Sequence, residues 1–66
     1  MTDADIKSLM VHVRNEFTEM PGLRLSVPQA MRLWGLDREA CERVVDALVQ
    51  ASFLRRTSRG EVVRSA

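Results

Sequence analysis

Between positions 55 and 64 this 66-residue chain carries Arg55, Arg56, Arg59 and Arg64, with the hydroxyls of Thr57 and Ser58 among them and Glu61 as the one acid. A guanidinium presents a planar fork of N–H donors that matches phosphate oxygens or enters a narrow minor groove. Four forks in so short a stretch point to phosphate contact. The same charges have a plainer use, because charged side chains on an exposed hairpin discourage edge-to-edge aggregation. The residue pattern leaves both readings open.

A second set lies between positions 38 and 50. With Cys41 at the centre of a buried helical face, Glu39, Glu42, Arg43, Asp46 and Gln50 fall on the outer one. Arg43 and Gln50 have the chemistry to read base edges, and Arg38 at the helix start to reach a phosphate. Three carboxylates around Arg43 oppose this, since they repel phosphates, although an acid accepts from cytosine N4 in favourable geometry. The alternative is a solvated helix on which Glu39 and Arg43 form an i, i+4 pair. Arg24 and Arg32 would extend a positive surface at the start of the preceding helix, where backbone N–H groups also favour phosphate.

Catalytic and metal chemistry find no footing. Cys41 is the only cysteine and His12 the only histidine. They form no disulfide and no zinc site, which needs several such ligands. Cys41 reads as a small core residue and His12 as a solvated one. The expectation is no enzyme, no metal and no cofactor.

These side chains need elements to hold them. Thr2 and Asp5 suit an N-terminal capping box, and Asp3 and Asp5 suit the positive end of a helix dipole. Ile6, Leu9, Met10, Val13, Phe17 and Met20 then recur at helical spacing until Pro21-Gly22 stops the helix. Val11 lies on its polar side. Leu23-Arg24-Leu25 alternates like a short edge strand. Ser26 and Gln29 form a second capping box, opening a helix to about Trp34 with Val27, Ala30 and Leu33 inward, Arg32 outward and Trp34 at the core edge.

Gly35 suits a left-handed helix end, and Asp37 caps a third helix after a turn of only about three residues. Cys41, Val44, Val45 and Leu48 make its buried stripe, with Val49 and Ala51 at the margins. Ser52 ends it. Phe53-Leu54-Arg55-Arg56 and Glu61-Val62-Val63-Arg64 then flank Thr57-Ser58-Arg59-Gly60, a hairpin loop whose glycine suits positive φ.

One domain of this length sits near the lower limit for a chain folding alone, so a homodimer is the expected source of further stability. The net charge of +1 excludes little, but its distribution is uneven. Residues 1–22 set Asp3, Asp5, Glu16 and Glu19 against Lys7 and Arg14, whereas residues 23–66 set eight arginines against five acids. The arginine usage also fits a GC-rich bacterial genome. No apolar run is long enough for a signal peptide or membrane span, and a free thiol fits a reducing cytoplasm.

Leu33-Trp34-Gly35-Leu36, the stripe Val45-x-x-Leu48-Val49, and Phe53-Leu54-Arg55-Arg56 leading to Gly60 together resemble the winged helix-turn-helix superfamily of small bacterial DNA-binding proteins. The hairpin pattern is similar to that of MarR- and IclR-like regulators. The likeness covers about two thirds of the chain. It departs at Ser52, where the family usually has glycine: either serine takes the left-handed conformation at some strain, or the third helix ends differently and re-aims the wing.

The resemblance implies a mainly α fold with a small β-hairpin (α+β), three helices plus a two- or three-stranded wing sheet. Residues 1–20 would be a support helix, 26–52 the helix-turn-helix and 53–64 the wing, in one domain spanning 1–66. The function it implies is a cytoplasmic transcriptional regulator binding double-stranded DNA through Arg38, Arg43, Gln50, Arg55, Arg56, Arg59 and Arg64, as a homodimer. Winged helices also serve as protein-protein adaptors. That is the alternative, with the acidic third helix, Val11 and Met31 as the partner surface.

Overall fold

The computed structural model of the chain describes residues 2–65. Its elements are α1 (Asp3–Glu19), β1 (Leu25–Ser26), α2 (Val27–Trp34), α3 (Arg38–Gln50), β2 (Leu54–Arg56) and β3 (Glu61–Arg64). The fold is α+β: three helices with one small antiparallel sheet, strand order β1-β3-β2.

Each helix starts where a side-chain oxygen takes up a first-turn N–H, a contribution of about 1 kcal/mol per cap. Thr2 Oγ1 accepts from Asp5 N at 3.2 Å, while Asp5 Oδ2 accepts from Thr2 N at 3.1 Å. The Asp3 side chain, expected to favour the same helix end, lies outside what the structure describes. Ser26 and Gln29 repeat the reciprocal box at 3.3 and 3.0 Å. Asp37 Oδ1 accepts from Ala40 N at 2.8 Å.

α2 and α3 also end alike. Gly35 takes φ +66°, and the Leu36 N–H returns to the Met31 carbonyl at 3.0 Å. After α3, Ser52 takes φ +62°, its N–H reaches Val49 O at 3.0 Å, and Phe53 N reaches Leu48 O at 3.0 Å. That pair of bonds is a Schellman closure. Of the two alternatives for Ser52, the left-handed serine is the one found. A side chain there costs about 1–2 kcal/mol relative to the right-handed region.

The core joins Val13 and Phe17 of α1, Ala30 and Trp34 of α2, Cys41, Val44, Val45 and Leu48 of α3, and Leu25, Leu54 and Val62 of the sheet. β3 lies between the other strands, with Leu25 opposite Val62 on one side and Arg56 opposite Val62 on the other.

Several expectations need correction. The edge strand begins only at Leu25. Met20 is 51% exposed, because α1 ends at Glu19 and the Met20 backbone (φ −126°, ψ 79°) turns the side chain off the helical face. Leu33 is 53% exposed whereas Trp34 is buried. Adjacent helical residues point about 100° apart, so Trp34 and Ala30 occupying the seam leaves Leu33 outside. Ala51 is exposed, lying beyond the last helical turn, and Met31 is half-buried against the core.

Candidate nucleic-acid interface

Strand pairing decides where the hairpin arginines point. Directly opposed residues share a sheet face, so Arg56 shares the core-side face with Val62, while Arg55 shares the outer face with Val63. One compact cationic cluster does not form. Two-residue alternation sends neighbouring arginines to opposite sides.

Arg56 reaches across to α3, where Nη2 donates to Asp46 Oδ1. The carboxylate that most directly faces the hairpin is thereby matched by a guanidinium. Arg59 is exposed on the loop, whose form is held by Thr57: its Oγ1 accepts from Arg59 N at 3.3 Å and Glu61 N at 3.2 Å. The Thr57 hydroxyl thus shapes the turn itself. Arg64 is half-buried, with its guanidinium carbon 5.5 Å from the Phe53 ring centre, and Arg14 approaches the same ring at 5.1 Å. Both distances suit cation–π contact.

On α3, Arg38, Arg43 and Gln50 are exposed, as are Glu39 and Asp46, and Glu42 is half-buried. The outward stripe is therefore the one expected. Arg43 borders a shallow depression of about 170 Å³ together with Asp37, Glu39 and Ala40. Asp37 already occupies a first-turn N–H there, so this helix start offers phosphate two carboxylates beside one guanidinium. At the start of α2 the Gln29 N–H is likewise taken by Ser26. Arg32 is exposed, and Arg24 faces Glu61 at 4.0 Å with both side chains partly in solvent.

His12 is not simply solvated. Its Nε2 lies 3.0 Å from Glu16 Oε1, one helical turn on, and Glu16 Oε2 accepts from Trp34 Nε1 at 3.3 Å. The i, i+4 spacing was the available signal for the first contact. Cys41 is fully buried, and burial, followed by the Glu42 charge, pushes its thiol pKa up. That opposes the thiolate form that a reactive cysteine requires. Among the described residues, no group of three His, Cys, Asp or Glu is placed to hold a metal, and no helix is long and apolar enough to cross a membrane.

Sequence reasoning also missed Asp46 as the acceptor for Arg56 and the placement of Arg24 near Arg55 on the outer face of the sheet. Neither has a local signal, since the partners sit on different elements.

No protein-family model, curated protein or solved structure matches the chain.

Proposed function

We propose that the chain is a winged helix-turn-helix module that binds duplex DNA with α3 and the tip of the β2–β3 hairpin, as a small cytoplasmic transcriptional regulator acting as a homodimer. The observation that carries this reading is the Arg56–Asp46 pair. It lies between the hairpin and the outward side of α3 and offsets one of the three acids that would repel phosphate there. Arg43, Gln50 and Arg59 are then left exposed on two adjoining elements. Arg38, Arg43 and Arg59 are assigned to phosphates, and Gln50 to a base edge. A second subunit would double the phosphate contacts of a weakly charged monomer.

The test is binding of a labelled random-sequence duplex, titrated from low to physiological salt, by wild type and by Arg43→Gln/Arg59→Gln. Neutralising one arginine that pairs with a phosphate lowers the log–log salt slope by about 0.9. The expected result is weaker binding and a shallower slope in the variant. Absence of binding by the wild type at low salt ends this reading.

A second reading has its own observation. Leu33 on α2 and Val11 on α1 are 53% and 58% exposed. Exposed branched side chains, together with the acidic outer face of α3, suit a protein-protein adaptor that needs no DNA.

A further inference from the structure

The α1–β1 connection crosses the outer face of the hairpin and leaves a hollow of about 250 Å³ there. Arg24, Arg55 and Arg64 line it, above Val63 and beside Gly22 and Leu23. We propose that this hollow is a phosphate-binding site, separate from the α3 surface, taking a phosphate monoester or the phosphodiester of a nucleic-acid backbone.

Arg55 lies opposite Val63 on this face and Arg24 on the β1 side of it, whereas Arg64, opposite the buried Leu54, sends its side chain to the other face. Two guanidiniums beside one concavity repel each other, and folding supplies little to offset that. Arg55 has no carboxylate within 4.0 Å among the described residues, and Arg24 meets Glu61 only at that limit, half in water. Such an exposed pair contributes little and yields readily to a doubly charged phosphate. Arg64 is engaged over Phe53 and takes no part in holding the ligand. Val63, only 8% exposed, floors the hollow between the two arginines. Alternation in β2 sends Arg55 away from the side where Arg56 meets α3. Ligands at the two surfaces therefore do not compete for the same arginines.

Gly22 provides a clean probe. A Cβ built there meets nothing within 4 Å, so Gly22→Asp places a carboxylate beside the hollow without a clash. The experiment follows backbone amide and arginine Nε–H signals by NMR while inorganic phosphate is added at ionic strength held constant with chloride. The expected result is saturable shifts at Gly22, Arg24 and Arg55, and at least tenfold weaker binding by Gly22→Asp with the rest of its spectrum unchanged. Arg55→Gln, on an exposed strand position, should weaken binding in the same direction. Shifts that never saturate, that spread equally to Arg38, Arg43 and Arg59, or that persist undiminished in Gly22→Asp overturn the proposal.

A short random-sequence duplex is the second arm. If it moves the same signals, the site takes a backbone phosphodiester; if only inorganic phosphate does, it takes a small phosphate ester. Both results support the site. Phosphate binding that survives in Arg43→Gln/Arg59→Gln shows that it stands apart from the α3 reading, so either can fail without the other.

Discussion

The indole N–H of Trp34 donates to Glu16 Oε2 at 3.3 Å, fastening α2 to α1 at the margin of the core. The contact explains which of two adjacent large side chains turns inward. Trp34 needs a partner for its N–H when buried, and Glu16 supplies it. Trp34→Phe should cost about 1.5–3 kcal/mol, the loss of a hydrogen bond to a charged group together with some packing. Glu16→Gln, which keeps an acceptor oxygen, should cost less than half as much. Urea unfolding of both variants checks this. Equal losses would mean that the charge on Glu16, rather than the bond to Trp34, is what stabilises.

Ser52 sits at φ +62° in a helix closure that glycine fills without strain. Ser52→Gly should raise stability by about 0.5–1 kcal/mol, because the relief of left-handed strain exceeds the entropy added to the unfolded chain. Gly35→Ala should move stability the other way, since Gly35 already uses positive φ. Thermal melts of the two variants give the signs directly.

Cys41 is fully buried, and its thiol pKa is raised above the ordinary 9.0 by burial and by Glu42. A raised folded-state value means the folded protein holds its proton when the unfolded chain has released it. Stability is therefore fully present below pH 9.0 and falls as pH rises from there towards the folded value. Labelling by an aromatic disulfide reagent at pH 8 should proceed at the rate of global unfolding. Labelling within seconds in the native protein would contradict the burial.

Asp5 shows the opposite sign. The N–H and hydroxyl of Thr2 lower its carboxyl pKa below 3.8. Its contribution to the start of α1 is present above that value and is lost as pH falls through the depressed one. Helix content by circular dichroism between pH 5 and 2 should decline in wild type and start lower and flatter in Asp5→Ala.

Asp46→Asn separates the two functional readings. On the DNA reading it removes a repulsive charge and frees Arg56, so duplex affinity should rise severalfold while stability changes by less than about 1 kcal/mol, the range of exposed pairs. Unchanged or weaker duplex binding would count against the α3 surface.

Much was legible in the sequence because the signals are local. Thr2, Ser26 and Asp37 announce helix starts within four residues, Gly35 and Gly60 announce positive φ, and the Cys41–Val44–Val45–Leu48 spacing names a buried face that is indeed fully buried. The elements, their order and the α+β class followed from those signals. Ser52 stood out as a departure, but its conformation was settled only by the closure around it.

What tertiary structure decided was always a matter between elements. Leu33 and Trp34 are both apolar and adjacent, and only packing against α1 places Trp34 inside and Leu33 outside. Arg55 and Arg56 are chemically identical neighbours, yet β3 pairing sends one to the hollow with Arg24 and the other to Asp46. Composition can count arginines. Which of them are neutralised, stacked or left free for a ligand depends on distances set by chain segments far apart in sequence, and Coulomb interactions at a few ångströms answer to those distances alone.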